Sequence, residues 1–332
     1  MADLDRETLS WVCGLLGTDD VREMRGLRSG GTPWLIRFAD RAVVLRFNSA
    51  ELTSVERLGL RFAARSGVAV PEVLGADVAR GLLLISAVGG TSRVPVDRPT
   101  ARLRTLGAAA ASLHAVPVPP AAGLQRRVRT VAGVDFAALR AEQEPYELLE
   151  RASDTIGDAV PDEPDGLVHG DLWQGNVMWD GYRIVALIDW DCAGFGAAGV
   201  DLGSLRCDAA TAFGSNAADD VLDGWEAAAG RRASHVAYWD MVAALCTPND
   251  MGWFHGAIAG QGRADLNPRT DGRAPRSVPG GRARPAQPWL VTAGRCQSWM
   301  PHSVLDVPAQ RPARRSSPGL MRRVHGPQPM EP

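Results

Sequence analysis

Three short apolar runs, each bordered by polar residues, are crowded into residues 167–191 and leave the chain few ways to fold there. Leu167-Val168 leads into His169-Gly170-Asp171. Asn176 follows that aspartate by five residues and opens Val177-Met178-Trp179. Ile184 to Ile188 then leads into Asp189-Trp190-Asp191, with Asp189 thirteen residues beyond Asn176. Runs this short, rich in β-branched and aromatic residues and bounded by turn formers, read as strands. Asp180-Gly181, between the last two runs, predicts a hairpin turn. The hairpin carries Asn176 at its start and Asp189 at its end, so both can face one cleft beside Asp171. That arrangement suits phosphoryl transfer. One carboxylate accepts or orients the attacking hydroxyl, while an amide and a second carboxylate hold magnesium on phosphates.

Composition narrows the alternatives. The 332 residues are enough for two lobes with cores of their own, and no apolar run approaches the length of a membrane helix. The start, MADLDRETLSW, is mixed and acidic, which argues against a signal peptide. Five scattered cysteines without metal spacing (Cys13, Cys192, Cys207, Cys246, Cys296) read as reduced thiols of a cytoplasmic protein. All 36 basic residues are arginine, which excludes a lysine-bearing Walker loop and Schiff-base chemistry.

The charge is unevenly spread. Residues 268–332 hold 11 Arg against 3 acids and 12 of the 23 prolines, whereas residues 1–267 hold 25 Arg against 35 acids. A segment with that composition and no hydrophobic period cannot offset backbone ordering, so residues 268–332 are expected to be a disordered tail. Its abrupt onset is what translation in a shifted reading frame would produce. Its arginines are diluted by Pro and Gly, so no nucleic-acid partner and no membrane are expected.

The motifs HGDLWQGNVMWD and VALIDWDCAGFGAAGVDLG together resemble the aminoglycoside phosphotransferase and choline kinase family. The resemblance implies an α+β, two-lobed, protein-kinase-like fold. Residues 1–88 would form a small β-rich nucleotide-binding lobe and residues 89–267 a larger, mainly helical catalytic and substrate lobe. It implies ATP and Mg2+ as cofactors, a small-molecule hydroxyl as substrate, and a monomer or weak dimer. Protein kinases use H-R-D-x-x-x-x-N and D-F-G for the same roles. Here Gly170 replaces the Arg, and Trp190-Asp191 replaces Phe-Gly. Asp171 is accordingly the expected catalytic residue, with Asn176 and Asp189 as metal ligands. Asp201, in VDLG, matches a family aspartate that braces the catalytic loop.

Upstream, Trp34 to Phe38 and Ala42 to Phe47 predict a hairpin around Ala39-Asp40-Arg41. The loop Ser29-Gly30-Gly31-Thr32 before it could bring backbone N–H groups to phosphate oxygens. Arg46 stands where the family places the basic residue that contacts the α- and β-phosphates, and its guanidinium would bind them as a fork. Residues 51–66 predict a helix with Val55, Leu58 and Phe62 on one face, ended by Gly67. Glu56 on that helix matches the family acid that pairs with Arg46. Leu82 to Ile85 reads as a buried strand, and Ser86 to Gly90 as a hinge reading adenine near Ala87 and Val88.

In the larger lobe, residues 101–115 and about 134–153 predict helices, with His114 a helix-end polar residue. Gly194-Phe195-Gly196-Ala197-Ala198-Gly199 matches a dinucleotide fingerprint, but Asp189 and Asp191 at the strand end would repel a pyrophosphate and no βαβ pattern precedes it. Asp191, Asp208, Glu226, Asp250 and Trp253 are candidates to line a substrate pocket, where acid plus aromatic suits a cationic hydroxylated molecule. The alternative to an active small-molecule kinase is a nucleotide-binding pseudoenzyme with a damaged C-terminus.

Overall fold

Alternation of period two builds the N-terminal lobe. The computed structural model describes residues 4–27, 33–157, 159–249 and 252–266. Strands β1 (Val21–Gly26), β2 (Trp34–Phe38), β3 (Ala42–Phe47), β4 (Val73–Asp77) and β5 (Leu82–Ser86) form one antiparallel sheet in the order β1-β2-β3-β5-β4. Successive side chains leave a strand on opposite faces. Trp34, Ile36, Val43, Leu45, Leu82 and Leu84 therefore share one face, covered by Trp11 and Val12 of helix α1 (Arg6–Leu16). Val44, Leu83 and Ile85 face the other way, toward Val55, Leu60 and Phe62 of helix α2 (Ala50–Ala63). Arg46 has the parity of Val44, so the pleat alone turns it toward α2.

The hairpin, the α2 helix and the buried β5 strand follow the sequence pattern. Strand β1 does not, because VREMRG is largely exposed and shows no alternation. Helix α1 carries a signal that was open to reading: Asp5 accepts from the Thr8 N–H at 2.8 Å as its N-cap.

The second lobe is mainly helical: α3 (Thr100–His114), α4 (Phe136–Ala141), α5 (Glu147–Ile156), α6 (Gly199–Phe213), α7 (Ala217–Ala229), α8 (Val236–Leu245) and α9 (Gly252–Gly260). Two small antiparallel pairs sit among them, β6 (Asp165–Val168) with β9 (Gly194–Ala197), and β7 (Val177–Asp180) with β8 (Arg183–Leu187). The single helix expected over 134–153 is instead two, α4 and α5, because Pro145 between them has no N–H to donate and clashes with a continuing turn. The hairpin turn lies one residue later than expected, at Gly181-Tyr182, with Asp180 opposite Arg183.

Helices α3 and α7 approach at backbone distance. A Cβ on Gly107 would lie 2.1 Å from the Val221 carbonyl oxygen, and one on Gly224 would lie 2.1 Å from that of Arg104. Gly107→Ala should therefore lower stability by about 1–3 kcal/mol, since overpacking outweighs the gain of up to ~1 kcal/mol in helix propensity. Urea denaturation checks this; an unchanged midpoint would mean the two helices separate freely.

The stretch GFGAAG proves to be strand and helix start. A Cβ on Gly194 or Gly196 would collide with the backbone of residues 125–127, and one on Gly199 with the Trp239 ring. Those glycines make room for protein. The expected tail over 268–332, the Ser29-Gly30-Gly31 loop and Asp250 lie outside the described residues, as does the side chain of Trp253. Among the described residues no helix is long and apolar enough to cross a membrane.

Candidate active site

Strand β6 ends at Val168 and delivers a loop held by its own backbone. The His169 and Gly170 N–H groups donate to the two oxygens of Asp201 at 2.7 and 2.9 Å. Asp201 is fully buried and also faces His114 Nε2 at 3.2 Å. Trp225 Nε1 donates to His114 Nδ1 at 2.9 Å, which leaves Nε2 as the ring nitrogen that donates to Asp201. These donors hold the Asp201 carboxyl below its usual range against the opposing effect of burial. His114 is thus more than a helix-end polar residue: it links α3 and α7 to the loop. Gly170 has φ +80, and a Cβ there would lie 2.1 Å from the Cys192 carbonyl. An arginine at that position would be excluded twice, by conformation and by space.

Asp171 follows immediately. The Asn176 amide spans the loop, donating to the Asp171 carbonyl at 2.8 Å and to its Oδ2 at 3.2 Å. The Ile188 N–H donates to the Asn176 carbonyl at 3.0 Å, tying the far end of the hairpin to its start. Asp189 comes next with φ +70, a left-handed conformation that aspartate tolerates better than most side chains. Between the two hairpin-end acids, Trp190 is fully buried, packs against His169 with ring centroids 4.3 Å apart and the planes tilted by 44°, and donates to the Leu187 carbonyl at 3.0 Å. Helix α2 presses on this turn through Gly59, where a Cβ would lie 2.6 Å from that of Ala193.

One turn before Gly59, Glu56 is 1% exposed and lies 2.8 Å from Arg46 Nε. The other arm of the same guanidinium donates to Asp189 Oδ1 at 2.5 Å and approaches Asp191 Oδ2 at 3.6 Å. Arg46 therefore bridges strand β3, helix α2 and the hairpin end. Asn48 adds a donor to Glu56 at 3.3 Å.

The site carries more acid than one arginine can balance. Burial, then the charges of Asp189, Asp191 and Asp201, push the Asp171 carboxyl up to about 8 against the donation from Asn176. Burial pushes Glu56 up to about 7 despite Arg46, and Asp191 is raised by burial and Asp189. The folded chain thus holds these protons more tightly than the unfolded chain does. The stability they contribute is complete below the ordinary carboxylate value of 3.8 and is lost as pH rises through about 7 to 8. Melting temperature should fall by several degrees between ~pH 5 and ~pH 8.5, and Asp171→Asn should flatten the slope. Calorimetry checks it, and a flat or rising profile in the native chain would contradict it.

Asp171, Asn176, Asp189, Arg46 and Glu56 thus come together, with Asp191 beside them. At the expected hinge the Ala87 N–H is committed to the Ala42 carbonyl at 3.1 Å. Thr91 bridges to Trp179, which fixes the chain as it enters the second lobe. Two pocket candidates fall elsewhere. Asp208 is buried and accepts from the Gln174 side chain at 2.7 Å, so it supports the loop from beneath. Glu226 accepts from the Ala233 N–H at 3.0 Å and pairs with Arg232, closing the connection between α7 and α8. Among the described residues no three His, Cys, Asp or Glu stand at metal-holding distance. Arg127 and Thr130, which touch the site's backbone, were not legible: they lie in an irregular segment with no motif.

Over residues 23–245 the sequence matches the family described as "Phosphotransferase enzyme family". No curated protein matches it. Among solved structures the chain is similar to apo macrolide 2'-phosphotransferase MphH from Brachybacterium faecium, at 23% identity over 78% of this chain and 95% of that one, TM-score 0.56. It is similar to an aminoglycoside-3'-phosphotransferase of type VIII, at 21% identity over 72% and 98%, TM-score 0.51. A thermostable mutant of aminoglycoside phosphotransferase APH(4)-Ia, in ternary complex with AMP-PNP and hygromycin B, is similar at 18% identity over 79% and 97%, TM-score 0.52. At these identities the likeness is one of fold.

Proposed function

The chain belongs to the phosphotransferase enzyme family, and from that premise we propose that it moves the γ-phosphoryl group of ATP to a hydroxyl of a small molecule with the help of Mg2+. The observation that carries this reading is the convergence of Asp171, Asn176 and Asp189 with the Arg46–Glu56 pair. Asp171 orients the acceptor hydroxyl and takes its proton, one oxygen steadied by the Asn176 amide. Arg46 grips phosphate oxygens as a planar fork, and Glu56 holds that fork against α2. Asn176 and Asp189 are the residues that would hold Mg2+.

The residues suit the ion. Magnesium asks for one or two protein ligands and takes the rest from phosphates and water, and here Glu56, Asp189 and Asp191 all crowd one guanidinium, a cluster short of positive charge. When bound, the ion would neutralise charge developing on the transferred phosphoryl group. The ion's charge would also favour the ionised form of Asp171, the form able to take the acceptor proton.

The division into residues 1–88 and 89–267, the cytoplasmic location and the monomer or weak dimer belong to the same reading. AMP-PNP in the similar ternary complex supports nucleotide use. A thermal-shift assay with Mg-ATP, combined with ADP release across aminoglycosides, macrolides and amino alcohols, tests the proposal. Stabilisation together with substrate-dependent ADP release is expected. Stabilisation without release on any acceptor would favour the pseudoenzyme, and no stabilisation would overturn both.

A further inference from the structure

We propose that residues 125–132 form a strap holding the two acid-bearing loops in register, with Arg127 as its main positioning residue. The strap begins as a strand partner of β9. The Phe195 N–H donates to the Gln125 carbonyl at 3.1 Å, and the Arg127 N–H donates to the Phe195 carbonyl at 2.8 Å. The Arg127 side chain then folds over Gly194, where a Cβ would lie 2.4 Å from its Cγ. Its Nε donates to the Cys192 carbonyl and its Nη2 to the Ala193 carbonyl, each at 3.1 Å. Among the described residues Arg127 has no carboxylate partner at ion-pair distance, so a partly buried guanidinium is devoted to two backbone carbonyls. Charged donors make the stronger hydrogen bonds, and a planar fork sets two acceptors at once.

Three residues on, the strap reaches the other loop. The Thr130 hydroxyl and the Val131 N–H both donate to the Gly170 carbonyl, at 2.8 and 2.7 Å. Val131 does so at φ +54, a conformation a β-branched residue adopts only where its surroundings require it. The Ala132 N–H faces the Cys192 sulfur. Gly170 immediately precedes Asp171, and Cys192 immediately follows Asp191. The strap thus bonds the neighbour of an acid on each loop, through backbone atoms that Arg46 does not touch. An in-line transfer depends on positioning, and a displacement of about 1 Å can cost about 10²-fold in rate.

The kinetic consequence rests on the phosphotransfer reading; the mechanical one does not. Hydrogen exchange followed by mass spectrometry, with steady-state kinetics, tests both in Arg127→Met, Arg127→Lys and Thr130→Val. In Arg127→Met, exchange should quicken over residues 168–172 and 190–195 together while α3 and α7 stay protected. There kcat should fall by about 10²-fold with the KM for ATP unchanged. Arg127→Lys, able to reach one carbonyl, should recover part of both effects. Thr130→Val should loosen residues 168–172 more than 190–195. Unchanged exchange at both loops, a uniform rise across the lobe, or a retained kcat would overturn the proposal. If the native chain transfers no phosphate, the phosphotransfer reading fails and the exchange pattern still decides the strap. Should Arg127→Met not fold, Arg127→Lys and Thr130→Val carry the same comparison.

Discussion

Asp171→Asn should lower turnover by at least about 10²–10⁴-fold, the contribution typical of a general base, with nucleotide binding retained. The substitution keeps the shape of the side chain and an oxygen for the Asn176 amide, which now donates to Asp171 at 3.2 Å. It removes the ability to take a proton. It also takes a charge out of a crowded acid cluster, so the variant should melt higher than the native chain near pH 8. Loss of turnover with a gain in stability would separate a chemical role from a structural one. Asp189→Asn should behave differently. That carboxylate meets Arg46, so its loss should weaken Mg-nucleotide binding itself and free the guanidinium. Titration calorimetry alongside kinetics distinguishes the two, and an Asp171→Asn enzyme with native turnover would sink the assignment.

Arg46→Met is expected to abolish nucleotide binding and to destabilise the chain by up to ~3–5 kcal/mol, the range seen when one partner of a buried ion pair is removed. Glu56 is 1% exposed, and it would lose the guanidinium that is its one ion-pair partner among the described residues while Asp189 and Asp191 remain beside it. Glu56 has an escape. Its carboxyl already lies near 7, and without Arg46 it rises further, so below that value it takes a proton and the buried charge disappears. The cost should therefore be large at ~pH 8.5 and small at ~pH 5.5. Urea denaturation at the two values measures it, and a cost independent of pH would show that Glu56 is not the unpaired charge. Arg46→Lys should be milder in stability yet still impaired, because one ammonium cannot face Glu56, Asp189 and phosphates in one plane.

How much of this was legible in the chain depends on the distance over which each contact closes. The β2–β3 hairpin, helix α2 and strand β5 follow from hydrophobic period, and Asp171 with Asn176 from five-residue spacing around one loop. The break between α4 and α5 was readable from Pro145 but was masked by helical residues on both sides. Strand β1 gave no signal, since an exposed edge strand has little need to alternate. His114 looked like a polar residue at a helix end, and only the approach of Trp225 and Asp201 makes it a buried link. Asp208 and Glu226 looked like pocket acids, since charge in a sequence does not tell which carboxylates fold inward to meet backbone donors.

Local pattern in the chain was enough to single out a loop aspartate, an amide five residues on, a hairpin-end aspartate and an arginine whose strand parity turns it from α1 toward α2. Period and spacing are local properties, and they survive translation into strands and turns. Tertiary structure alone decided that Arg46 meets Asp189 across 143 residues of chain. It also decided that Gly170 must be glycine because Cys192 passes over it, and that an unremarkable segment at 125–132 bonds both acid-bearing loops. Those contacts depend on how two lobes and an irregular strap pack in three dimensions, and no periodicity in the chain encodes that packing.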